Sequence, residues 1–365
     1  MEEKNQNINQ NPEQQTPHKR RVRYKGTHPR RFEEKYKELN PEKYADTIEH
    51  VIQKGGTPAG MHISIMVKEI LDFLQIRPGQ KGLDATLGYG GHTRAMLEQL
   101  QGEGHIYGLD VDPIESVKTK KRLEDLGFGE DIMTVRQMNF ADIDQIAAEA
   151  GPFDFILADL GVSSMQIDNP ERGFSYKFDG PLDLRLNPQA GISAAERLKE
   201  VDREELAGML VENSDEPYAE EIARCITGAI RRGEKVDTTT KVRELIEEAL
   251  SFIPEKERKE AVKKACARTF QALRIDVNSE FEVLYAFLDK LPHVLAPGGR
   301  VAVLTFHSGE DRMVKKSFQY YAREGIYSDI AKDVIRPSAK ECASNPRARS
   351  TKFRWAVRSD VQKYE

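Results

Sequence analysis

Cysteine, tryptophan and long apolar runs are what this sequence has least of. Its three cysteines, Cys225, Cys266 and Cys342, stand far apart, without CxxC spacing or a paired histidine. That excludes a disulfide framework and a zinc site of the usual spacing, so no metal is expected. No stretch approaches the roughly 20 apolar residues of a bilayer span. The opening MEEKNQNINQNPEQQ has neither an apolar core nor a small-residue cleavage site. Neither a membrane protein nor a secreted one is therefore expected, and the cytoplasm is the expected compartment.

What is present describes a globular chain with a local charge anomaly. Hydrophobic residues make up 39% and charged residues 32% of the 365, with a formal net charge of −5. An overall negative charge gives no general attraction to nucleic acid, but phosphates meet patches rather than averages. The segment KRRVRYKGTHPRR from Lys19 holds seven cations and no acid. It is suited to a phosphate backbone, or it is a solvated basic tail; composition leaves both open. Residues 1–18 are too polar to order themselves, residues 32–53 have a helical pattern, and Gly55, Gly56, Pro58 and Gly60 mark a linker. Residues 1–60 are thus expected to form a disordered or basic extension.

Beyond the linker, apolar strands alternate with helical patterns. A helix over 66–74 leads through the turn Arg77-Pro78-Gly79 to the strand GLDAT, then HIYGLDVD, IMTVRQMN and FDFILADLG follow, each separated by a helical stretch. Repeated βα units predict a doubly wound α/β fold, its parallel sheet covered on both faces. Residues 193–265 break the rhythm with helical patterns only and read as an inserted helical subdomain. The main domain would be 61–192 plus 266–365, resuming through a helix over 277–291, the turn at 296–299, RVAVLTF and a final strand KFRWAV.

Two features point to a cofactor. The loop DATLGYGGHT, Asp84 to Thr93, joins a strand to a helix, and its glycines let backbone approach a ligand. Asp110 ends the next strand about twenty residues on, where a carboxylate can accept from two ribose hydroxyls. A dinucleotide fold would use the same acid. The loop lacks GxGxxG, however, and an acid at Asp84 would repel a pyrophosphate but suit a cationic amino-acid moiety. S-adenosylmethionine carries that moiety and no phosphate; the plain alternative for Asp84 is a turn carboxylate. Asp159 ends the fourth strand, in the crevice where open α/β sheets place their chemistry, and a long polar loop, GVSSMQIDNPERGFSYKFDGPLDLRL, follows it.

The chain resembles the RsmH (MraW) family. The resemblance rests on HISIMV from His62, DATLGYGGHT, DVDP from Asp110, DLGVSSMQIDNPERGFSYKFDGPLDLRL, ARTFQALRIDVNSEF from Ala267, TFHSGEDRMVKK from Thr305 and NPRARS from Asn345. It implies a class I (Rossmann-like) S-adenosylmethionine-dependent methyltransferase that modifies the exocyclic amine of a cytidine in the decoding centre of 16S rRNA, within the small ribosomal subunit. It also implies cofactor contacts at Gly90, Gly91, His92, Asp110, Phe140, Asp159 and Gln166. Asp159 is in addition the candidate acceptor of the amine proton, and His307 a candidate for substrate contact or proton relay, against a structural histidine as the plain alternative. Arg172, Arg185, Arg268, Arg274, Arg347 and Arg349 lie in these motifs as candidates for RNA phosphates, and Phe174 and Tyr176 for stacking on the target base. Gly309, where the family usually has Leu, and NSDEPYAEE, where it commonly has a YGEE element, suggest a divergent paralogue. The other readings are methylation of another RNA or DNA amine, a ribosome-assembly factor without turnover and, more distantly, a nicotinamide dehydrogenase.

Overall fold

The computed structural model describes residues 64–360. The polar opening, the basic segment, the helix expected at 32–53 and the linker lie outside the described residues.

Within them the alternation takes the expected form. Helix α1 (Val67–Leu74) buries Ile70 and Leu74, one helical repeat apart. Then come β1 (Lys81–Asp84), α2 (Gly91–Leu100), β2 (His105–Asp110), α3 (Pro113–Asp125), β3 (Met133–Gln137), α4 (Ile143–Ala150) and β4 (Phe153–Asp159). Helix α3 starts where it does because the Asp112 carboxylate accepts from the backbone N–H of Ile114 and Glu115, with Pro113 at the first helical position. The loop after β4 contains a short helix α5 (Ser164–Asp168), which Ser163 and Gln166 start with a reciprocal capping box, and a 3-10 turn at Pro170–Arg172.

Helices α6 (Ala194–Glu200), α7 (Arg203–Ser214), α8 (Ala219–Arg231), α9 (Thr239–Ala249) and α10 (Glu255–Val277) follow without an intervening strand. The limit expected at 265/266 falls inside α10. No glycine or proline interrupts this helix, and its buried Val262, Cys266, Phe270 and Leu273 continue one apolar stripe across that limit. The helical core also reaches back to Phe174, Leu182 and Leu184. The first of these helices nonetheless starts at Ala194, with Ser193 as its N-cap, so the three residues join the core from the preceding loop.

The sheet resumes with α11 (Glu280–Val294), β5 (Leu295–Thr305), α12 (Ser308–Arg323), β6 (Tyr327–Ile330), α13 (Ala339–Ser344) and β7 (Lys352–Arg358). Strand order is β3-β2-β1-β4-β5-β7-β6. β3 through β5 run parallel, whereas β7 is antiparallel to β5, and β6 to β7. β6 escaped the sequence reading because it is four residues long and exposes Ser328 and Asp329. Two apolar clusters cover the sheet, one with Phe153, Phe287 and Val303, the other with Phe155, Leu157 and Phe353. The order reverses between β1 and β4, which opens a crevice at their carboxyl ends.

Candidate active site

A cavity of about 490 Å³ occupies that crevice, within the usual range for small-molecule sites. Gly90, Gly91, His92, Asp110, Phe140, Asp159 and Gln166 all line it. The glycine loop is tight for a packing reason: Gly90 has φ +86°, and a Cβ there would stand 2.7 Å from Cγ2 of Thr119 on α3. Thr119 in turn donates from its hydroxyl to the Gly88 carbonyl at 2.5 Å, locking loop to helix.

Asp110 meets this loop from β2. Its Oδ2 accepts from Gly88 N–H at 2.9 Å and its Oδ1 from Asp112 N–H at 2.8 Å. Burial lifts its carboxyl to about 7, opposed by the N–H bonds and assisted by the neighbouring acids Asp112 and Glu115. Each oxygen keeps acceptor capacity for a hydroxyl. Phe140 begins a 3-10 turn capped by Asn139, and its ring stands edge-on to Phe287 at 5.2 Å.

Asp159 is held at its backbone, where its N–H donates to the Thr86 hydroxyl at 2.6 Å. Its side chain is 25% exposed, and Oδ2 lies 3.4 Å from Nδ1 of the buried His92. Burial raises this carboxyl to about 6; His92 works against the rise and the charges of Asp84 and Glu310 add to it. Gln166 is engaged within the protein: Oε1 accepts from Ser163 N–H at 2.9 Å, and Nε2 donates to Asp112 at 3.1 Å.

Several expectations are corrected. Asp84 is outside the cavity lining, 2% exposed, accepting from the Thr93 hydroxyl at 2.6 Å and Thr86 N–H at 3.1 Å. It is a turn carboxylate, because the Thr86 and Thr93 bonds turn it into the protein beneath the loop. His307 is also outside the lining; it stands behind Glu310, with Nε2 3.1 Å from Oε1. β5 ends at Thr305, and the residues that reach the cavity beyond it are Phe306 and Glu310, the latter in the first turn of α12. Burial works to raise the Glu310 carboxyl, but His307, Arg274 and Phe306 N–H outweigh it and hold it below the usual range. Donor atoms of Glu280, His307 and Glu310 converge within 4.8 Å, and the Arg274 guanidinium grips both oxygens of Glu280 at 2.7 and 2.9 Å, placing a cation there already. Gly309 leaves room for Phe281, whose ring a Cβ would meet at 2.8 Å.

The arginines divide similarly. Arg172 bonds the buried Asp112 at 2.8 Å, Arg185 bonds Asp183 at 2.7 Å and Arg347 bonds Asp168 at 2.6 Å. Arg268 lies 3.9 Å from Glu216, whereas Arg349 is exposed on the rim. Phe174 is buried in the helical core and Tyr176 packs on Phe270 at 5.7 Å; neither lines the cavity. Glu310, Arg274, Asn278 and Glu280 were not singled out as cavity residues by sequence, although TFHSGEDR and ARTFQALRIDVNSEF contain them.

A model of the MraW methylase family matches residues 59–359. Ribosomal RNA small subunit methyltransferase H 1 of Agathobacter rectalis is 72% identical over 343 residues, covering 94% of this chain and 98% of its own. The protein of the same description from Lachnoclostridium phytofermentans is 69% identical, covering 97% and 99%. Ribosomal RNA small subunit methyltransferase H 2 of Alkaliphilus metalliredigens is 64% identical, covering 93% and 97%.

Proposed function

The chain belongs to the MraW methylase family, and from that premise we propose that it methylates the exocyclic N4 of a cytidine in small-subunit ribosomal RNA, with Asp159 as the acceptor of the amine proton. It is a methyltransferase that uses S-adenosylmethionine and acts on ribosomal RNA of the small subunit. Among the described residues no helix is long and apolar enough to cross a membrane.

The cavity fits the cofactor. Asp110 retains lone pairs for ribose hydroxyls beyond its two N–H bonds, Phe140 offers a ring to adenine, and the Gly88–Gly91 backbone borders the same space. S-adenosylmethionine supplies an electrophilic methyl on a sulfonium. A weakly basic aromatic amine needs its nitrogen aligned with that methyl, and a group that takes its hydrogen as positive charge develops.

The observation that carries the proposal is the place of Asp159. It shares one cavity with Asp110 and Phe140 at the carboxyl end of β4, and burial keeps its carboxyl at about 6, basic enough to accept a proton and ionised at neutral pH. Arg349 on the rim suits an RNA phosphate beside it. The test is digestion and mass spectrometry of small subunits incubated with the protein and S-adenosylmethionine. N4-methylcytidine is the expected product; a methyl on another atom would overturn the choice of target.

A further inference from the structure

The family resemblance puts His92 among the cofactor's contacts, yet one ring nitrogen is taken within the protein and the other lies beside the Asp159 carboxylate. Nε2 lies 2.8 Å from the Ile65 carbonyl oxygen, and a carbonyl only accepts, so Nε2 carries a hydrogen. Nδ1 lies 3.4 Å from Asp159 Oδ2. A neutral imidazole with its hydrogen on Nε2 turns a lone pair outward at Nδ1, and an ionised carboxylate has only lone pairs to offer. That contact is repulsive unless one proton resides on the pair. Among the described residues, the other charges that bear on Asp159 are acids: Asp84 at the end of β1 and Glu310 at the start of α12. Both favour keeping the proton.

We propose that His92 and Asp159 form a proton store keyed to the cofactor's sulfonium charge, with His92 as a positioning residue rather than a cofactor ligand. The free protein holds one proton on the pair. A cation in the cavity beside Asp159 raises the cost of that proton and expels it to solvent, leaving neutral His92 and ionised Asp159. As the N4–C bond forms, the S–CH₃ bond breaks with its electron pair remaining on sulfur. The surplus hydrogen of the amine moves to Asp159, which shares it with His92 Nδ1 now that the cation is gone. The site's net charge is thus the same before binding, in the loaded state and after transfer. This inference rests on the methyl-transfer reading.

Its test reads protons, not turnover. Binding of S-adenosylmethionine and of S-adenosylhomocysteine, whose sulfur is neutral, is measured by calorimetry near pH 6.5 in buffers of different ionisation enthalpy. The sulfonium ligand should release more protons, the difference approaching about one per site. His92→Gln keeps a donor for the Ile65 carbonyl and removes the group facing Asp159. It should abolish the difference while leaving homocysteine-ligand affinity within about threefold. Equal release in the parent protein, a difference that survives in His92→Gln, or a loss of both ligands in that variant would each overturn the proposal. Should the variant not fold, ¹⁵N resonances of His92 in the parent decide: Nδ1 must lose its share of the proton on adding the sulfonium ligand and keep it with the homocysteine ligand. A protein that methylates a different RNA atom would still show this difference, so the two readings fail separately.

Discussion

Replacing Asp110 by alanine separates two roles of one carboxylate. In the free protein the change strands the N–H groups of Gly88 and Asp112, which sit 2.9 and 2.8 Å from its oxygens. Each stranded donor costs about 1–3 kcal/mol. Against that, burial raises this carboxyl from 3.8 to about 7. Keeping it ionised at pH 8 therefore costs the folded protein on the order of 4 kcal/mol, at about 1.36 kcal/mol per unit. For an acid whose folded value is raised, this cost is absent below the unfolded value and grows as pH rises to the folded one. The variant escapes it. Asp110→Ala should accordingly be nearly neutral for stability at pH 8 and clearly destabilised at pH 5, the two losses differing by about 2–3 kcal/mol. Urea unfolding of parent and variant at both pH values measures this. Calorimetry at pH 8 should meanwhile show S-adenosylmethionine affinity down by about 1.5–3 kcal/mol, the scale of hydrogen bonds to a charged group. Equal stability losses at both pH values would refute the raised carboxyl, and unchanged affinity would remove Asp110 from the cofactor's ligands.

Asp159→Asn keeps shape and removes the proton acceptor, so single-turnover methyl transfer should fall about a hundredfold while cofactor affinity changes much less; normal transfer at saturating cofactor would make Asp159 an orienting group only. Arg172→Ala leaves the fully buried Asp112 without its guanidinium partner and should lower stability by about 3–5 kcal/mol. The salt dependence of its RNA binding should match the parent's, since Arg172 is engaged inside the protein; a flatter salt slope would restore it as a phosphate contact. Deleting residues 1–60, which contain the seven-cation segment, should leave cofactor affinity intact but flatten the salt dependence of RNA binding. An unchanged slope would make that segment a solvated tail.

The sheet was legible because apolar strands and amphipathic helices carry different periods, and Asp110 and Asp159 were legible because each closes an apolar strand. Side-chain partnerships were not. Asp84 and Arg172 look like ligand-facing groups in sequence, and only folding brings Thr93 and Asp112 to satisfy them. Asp112 illustrates the point: a helix cap by its sequence context, it also receives Gln166 and Arg172 from more than fifty residues away. Such contacts depend on distant chain segments meeting, for which local pattern has no signal. His307 was misplaced by one helical turn for a smaller reason, since the end of β5 decides whether residue 307 or 310 enters the crevice.

Helix α10 spans about 34 Å at 1.5 Å per residue. Its middle belongs to the helical core, while Arg274 and Asn278 at its far end form cavity wall. Asn278 also ties that end to Leu184 and Leu186 by bonds of 2.8 and 2.7 Å. The helical region is consequently no removable cassette. Cutting it out, or grafting in the corresponding piece of a relative, would tilt the rod that carries these two side chains. A chimaera that leaves every strand untouched would then inherit a reshaped pocket along with its new exterior, and any swap meant to alter RNA choice would have to carry the whole rod and the 184–186 strap with it.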